Sequence, residues 1–178
     1  MLADTSSVMG TSMTRRIAAG LLALATLPAS AGIGWDYDER VDPMTSKKTT
    51  TASFQSDQSL NLDAPYAGKN FATVFVRQSP RSGLDVILRI DKGQLVCPVS
   101  GCRVLVRFDD QEPRYFSATE PADHSPNVLF LEPASGFVAS ARKAKRIRIQ
   151  ANIYQHGAPV MEFTGVPLTW PWPAKSKP

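Results

Sequence analysis

Apolar and polar residues alternate with a period of two through much of this chain, which is the signature of strands buried on one face. The longest such stretch runs from Leu84 to Asp109. Leu84, Val86, Leu88 and Ile90 fall on one face, while Asp85, Arg89 and Asp91 fall on the other together with Ile87. Further along, Val104, Val106 and Phe108 alternate with Arg103, Leu105 and Arg107. The stretch predicts one long β-hairpin at the centre of the fold. Cys97 and Cys102 bracket the turn-forming Pro98-Val99-Ser100-Gly101 at its end.

Shorter alternating runs predict further strands over 35–39, through Thr51, Ser53 and Phe54, over 71–77, 114–119, 127–131 and 146–153, and in the return from Val160. Trp35 and Tyr37 are expected to turn inward as core anchors. Ala134 to Ala144 is the one helical pattern: Phe137, Ala141 and Ala144 share a stripe, and basic residues gather where the helix would end. Turn signals separate these runs at 64–68, 78–83, 120–126 and 155–157. The fold class that follows is all-β: a β-sandwich or partly open barrel of about eight short, mostly antiparallel strands, with one short helix near 134–144.

The N-terminus reads differently. Thr14-Arg15-Arg16, an apolar run from Ile17 to Leu27 and a small-residue site at Pro28-Ala29-Ser30-Ala31 form a signal peptide, cleaved after Ala31. Met13 is an alternative start, and Arg15-Arg16 fits an ordinary export signal as well as a twin-arginine one. The apolar run is too short to span a bilayer comfortably, and no cysteine adjoins the cleavage site, so no lipid anchor is expected. Residues 1–31 are thus a leader, 32–170 a single β-rich domain, and 171–178 (proline- and lysine-rich, continuing Trp170) an extended tail. The expected destination is the periplasm or the medium, where disulfides persist.

Composition changes this picture little. The chain has 178 residues, 43% hydrophobic and 20% charged, with 14 prolines and 11 glycines, which suits a loop-rich β domain. Removing the leader takes away Arg15, Arg16 and Asp4, so the 20 basic and 16 acidic residues of the chain become 18 and 15, a net +3. That balance is too mild to argue for nucleic acid.

Candidate chemistry is sparse. Cys97 and Cys102 are expected to form a disulfide that pins the hairpin end and stabilises by about 2 kcal/mol, given so short a loop. A structural zinc site wants four ligands, and a redox pair is more often Cys-x-x-Cys beside a βαβ unit. No metal ligand set and no cofactor is expected. Asp109, Asp110 and Glu112 form an acidic knot without the spacing of a calcium loop. His124 and His156 sit in loops, and no nucleophile elbow, zinc helix or phosphate loop accompanies them, so no residue is assigned a catalytic role and no enzyme is expected. Arg142, Lys143, Lys145, Arg146 and Arg148 are the largest charge concentration and the candidate binding surface for an anionic envelope component or an envelope protein.

Two resemblances add to this. The pattern Trp35-x-Tyr37, Pro65-Tyr66-x-Gly68, Gly93-Gln94-x-x-Cys97, Cys102 and Val106-Arg107-Phe108-Asp109-Asp110 resembles an uncharacterised family of exported proteobacterial proteins, over nearly the whole mature chain. No activity comes with it. The C-terminal half is similar to the TagO/VasI family of periplasmic proteins associated with type VI secretion. The shared elements are an arginine-bearing strand, Phe137 opening a short helix, a basic strand, and Phe163-x-Gly165-x-x-Leu168. The Gly165–Leu168 spacing and the cysteine positions depart from that family. The resemblance implies a β-rich fold and an envelope location. The function expected is non-catalytic binding in the cell envelope, as an accessory of an envelope or secretion assembly. The alternatives are an inhibitor or immunity-type protein that offers the 120–126 loop to a cell-wall hydrolase, and an uncharacterised hydrolase.

Overall fold

A computed structural model of the chain describes residues 34–171. The leader, the alternative start at Met13 and the tail from Trp172 lie outside the described residues. The elements are β1 (Asp36–Val41), β2 (Lys48–Gln55), β3 (Ala72–Ser79), β4 (Gly83–Ile90), β5 (Arg103–Phe108), β6 (Arg114–Thr119), β7 (Val128–Glu132), α1 (Ala134–Ala141), β8 (Arg146–Gln150) and β9 (Val160–Thr164). They form one nine-stranded sheet in the order β1-β2-β3-β4-β7-β6-β5-β8-β9, with every neighbouring pair antiparallel. The all-β expectation holds, with nine strands and one short helix.

The predicted central hairpin does not form. β4 and β5 are separated in the sheet by β7 and β6. The reason lies in the connections. Only residues 80–82 separate β3 from β4, and Gly83 takes φ +79, so these two strands make the tight hairpin. The longer connection over 91–102 has apolar residues of its own to bury, and it runs instead along the chain that follows β8. There the Val96 N–H donates to the Asn152 carbonyl (2.9 Å), and the Tyr154 N–H to that of Gln94 (2.9 Å). Leu95, buried, bridges Ile153. Cys97 and Cys102 do bond, with Cα atoms 4.5 Å apart. The bond closes its own small loop ahead of β5, so it holds a connection and pins no register between β4 and β5.

The inward set is the one the alternation indicates. Val86, Leu88 and Ile90 of β4, and Val104, Val106 and Phe108 of β5, are buried in a single core with Ile147, Ile149, Met161 and Phe163. The sheet curls until its two ends meet without pairing along their edges. The Asp57 N–H, just past β2, donates to the Glu162 carbonyl of β9 (2.8 Å), and the Thr164 N–H donates to Asp57 Oδ1 (2.9 Å). Trp35, Phe54 and Phe163 fill that seam, with ring centroids 5.1 and 5.7 Å apart along the row. Trp35 is buried as expected; Tyr37 is half-buried, its hydroxyl accepting the Thr169 N–H (2.8 Å). Trp170, the last residue of the expected domain, is buried in the core.

One end of the curled sheet is stoppered by α1, which packs against β4 and β7. Phe137 is fully buried and meets Phe108 and Phe116 edge-on at 5.2 and 5.8 Å. The other end is filled by Leu62, Leu95 and Ile153 around Gly93. A side chain at Gly93 would come within 3.2 Å of both Ile90 and Leu62, and its φ of +106 also requires glycine. The helix stops at Ala141, three residues before its expected end, because the chain is drawn out of helical geometry: Asp109 Oδ1 accepts the N–H groups of Lys145 and Arg146, each at 2.9 Å.

Phe137 carries the helix end of the core. Phe137→Ala should therefore lower unfolding free energy by about 3–5 kcal/mol in a urea titration, and a loss below about 1 kcal/mol would show that α1 is a dispensable cover.

Candidate functional site

The structure brings the acidic knot and the basic run together. Arg146 and Arg148 stand on the outward side of β8, half-buried, and both reach Asp110, with Nη2 to Oδ1 distances of 2.8 and 3.5 Å. Arg148 also donates to the Asp109 carbonyl (3.0 Å), and the Nε of Arg146 stands 3.8 Å from Glu162. Arg107 of β5 caps the same turn through the carbonyls of Gln111 (2.9 Å) and Asp110 (3.3 Å). Asp109 takes the left-handed conformation (φ 48) and accepts the two N–H groups that start β8. The knot is therefore a structural clasp, and two of the five basic candidates are spent on it. Arg142, Lys143 and Lys145 remain exposed at the helix end, with no ion pair among the described residues.

His124 is exposed with φ 56, and His156 is half-buried in the turn after β8. Neither is within salt-bridge distance of a carboxylate among the described residues, although His124 and Glu120 border one small cavity with Cys97. Among the described residues, no group of three or more His, Cys, Asp or Glu is placed to hold a metal ion, and no helix is long and apolar enough to cross a membrane.

A different feature stands out on the outer face of the sheet. Phe75 of β3 lies directly opposite Ile87 of β4, and Ile87 directly opposite Phe130 of β7. All three point away from the core and are half-buried. They form an apolar row across three strands, roughly 10 Å long at ordinary strand spacing. Arginines lie over the outer rings: Arg89 over Phe75 (4.7 Å) and Arg77 over Phe130 (6.0 Å). Arg77 is held by Asp85 through two bonds (3.1 and 2.7 Å), whereas Arg89 has no carboxylate partner among the described residues. The loop from Pro121 to Ser125 flanks the row, and a groove of about 350 Å³ lies between them. In that loop Asp123 accepts the Ser125 hydroxyl (2.8 Å) and N–H (3.1 Å), which hold its carboxyl below the usual carboxylate range and keep it charged.

No protein-family model, no curated protein and no solved structure matches this chain.

Sequence pattern marked one member of this row, Ile87, as apolar on a polar face. Phe75 and Phe130 carry the same signal: each is the aromatic that breaks the alternation of its strand, set between Val74 and Val76 or Leu129 and Leu131, which face the core. The signal becomes a surface only once the strand order places the three side by side.

The clasp gives a sharp test. Asp109→Ala removes two charge-assisted bonds and leaves a non-glycine residue at positive φ, so it should cost about 1.5–3 kcal/mol in chemical unfolding. Asp109→Asn retains an acceptor oxygen and tolerates that backbone, and should keep most of the stability. Equal losses in the two variants would mean that the charge itself, more than the turn, holds β8 in place.

Proposed function

We propose that this chain is an exported, non-catalytic binding protein of the cell envelope, and that the outer-face groove over β3, β4 and β7 is its ligand site. The observation that carries this reading is the row Phe75–Ile87–Phe130, in cross-strand register on a face where exposed antiparallel sheet is ordinarily polar. Apolar side chains held half-exposed on a rigid floor, beside an overhanging loop, are the usual form of a preformed site. The N-terminal signal pattern supports export, and the disulfide is compatible with an oxidising compartment.

One observation favours a second reading, an inhibitor-type protein contact. The 120–126 loop lies along the groove, whereas Val99, at the tip of the disulfide-closed loop, is fully exposed. A pre-closed loop with an apolar tip loses little entropy on entering a partner's pocket.

The two readings separate in one capture experiment. The mature chain is used as bait in native envelope extract, beside Ile87→Asp, Val99→Asp and a charge-reversed Arg142/Lys143/Lys145 variant. A component held by the native bait and lost with Ile87→Asp supports the groove, provided that the variant unfolds within about 1 kcal/mol of the parent, as surface changes do. Loss with Val99→Asp alone favours the projecting loop. Loss with the charge-reversed bait alone returns the site to the basic run.

A further inference from the structure

We propose that the groove continues into an anion subsite and that its ligand is an anionic amphiphile, with its apolar chain on Phe75, Ile87 and Phe130 and its head group at Lys47 and Arg81. This rests on the groove reading above and deepens it.

Because β2 and β3 are neighbours, the turn before β2 (42–47) and the turn after β3 (80–82) stand side by side at one end of the sheet. A second cavity, of about 670 Å³, opens between them. Lys47, Arg77 and Arg81 line it against a single carboxylate, Asp42. That carboxylate is turned back into its own loop, where it accepts the N–H groups of Met44 (2.9 Å) and Thr45 (2.8 Å). Arg77 is occupied by Asp85, but Lys47 and Arg81 have no ion-pair partner among the described residues. Ser79 Oγ accepts the N–H groups of Arg81 (3.1 Å) and Ser82 (3.4 Å), which sets the turn and leaves its own proton to donate into the cavity. Two free cations beside a free hydroxyl donor suit a phosphate or carboxylate.

Arg77 borders both cavities, so the apolar row and the cationic end are one continuous surface. From Phe75 to Ser79 the floor advances four residues along β3, roughly 13 Å, and the row spans roughly 10 Å across the strands, so a ligand reaching from Phe130 to the cationic end is roughly 16 Å long. The charged Asp123 lies at the opposite, loop-flanked part and disfavours an anionic head there. An alkyl chain fits the apolar part better than a peptide does. β3 and β4 are paired on both sides, so the floor offers no backbone N–H or C=O, and a peptide's amides would lose water without gaining partners.

The test titrates the purified chain with decyl phosphate and decyl maltoside, both below their micelle thresholds, and with inorganic phosphate. Calorimetry gives affinity, and amide shifts give location. We expect decyl phosphate to bind about tenfold or more tighter than decyl maltoside, the range of one charge-assisted contact, and to shift residues near both Ile87 and Arg81. Lys47→Ala/Arg81→Ala should bring the two affinities together, and Ile87→Asp should abolish both. Equal affinities in the parent would overturn the anion subsite and leave the groove standing. No shift near Ile87 with either detergent would remove the groove reading as well. Inorganic phosphate binding as tightly as decyl phosphate would separate the two cavities and end the proposal. So would a phosphate preference that vanishes in Arg89→Ala and survives Lys47→Ala/Arg81→Ala, or binding to anionic vesicles with none to the monomeric phosphate.

Discussion

When β7 pairs with β4, the middle of the sheet is settled in both directions. β4 is then enclosed between β3 and β7, and its inward Val86, Leu88 and Ile90 join the core laid down by β3. The connection leaving β4 can no longer fold back as a hairpin. It must cross to the chain that follows β8, where Leu95 and Ile153 fill the end of the core opposite α1. The same pairing sets Phe130 against Ile87 on the outer face. Inner packing and outer surface are therefore two consequences of one register, because a strand shifted by a single residue would exchange its two faces.

Electrostatics completes what the register begins. β5 and β8 would present Arg107, Arg146 and Arg148 on one outward face, and close like charges across strands are unfavourable. The turn after β5 answers with Asp110, which pairs with Arg146 and Arg148, and with Asp109, which accepts the N–H groups of Lys145 and Arg146 where β8 starts; Arg107 is held by carbonyls of the same turn. The basic run is the densest charge in the sequence, but density along the chain is a poor guide to free charge. Two of its members are consumed by the fold, and of the three that remain exposed at the helix end only Lys143 borders a cavity, a small one of about 200 Å³ shared with Asp109. Lys47 and Arg81, isolated in the chain, are brought together by the β2–β3 pairing and keep their charge available.

Most of the strands were legible because period-two alternation is a local property: β6 runs over 114–119 and α1 begins at Ala134, both as the pattern indicates. Pairing is not local. The run from Leu84 to Asp109 has two alternating arms and a turn with cysteines, and nothing in those residues says that β6 and β7 will come between the arms. Connection length does carry a signal: three residues close a hairpin between β3 and β4, while the 91–102 connection is longer than hairpin loops usually are. The helix ends short of its apolar stripe for a related reason. The chain leaves the helix for an acceptor on Asp109, far away in sequence.

The site follows the same division. Each member of the apolar row is visible as a break in its own strand's alternation, yet scattered outward hydrophobics are ordinary on protein surfaces and carry no message singly. What gives them meaning is that three of them fall at one level of three adjacent strands, with arginines over the outer rings and a loop alongside. The other half of the sheet carries an outward pair as well, Leu105 opposite Tyr115 with Arg103 over the ring at 5.2 Å, but it is two strands wide and no loop groove runs beside it among the cavities of the described residues. A row that is aligned and bordered by polar groups has the composition of a contact surface, because burying it gains apolar area while the flanking guanidinium groups orient what lies on it. The core lies on the other face of the same strands, so core packing does not dictate the composition of the outer row. The outer row can therefore be specialised for binding at little cost to stability.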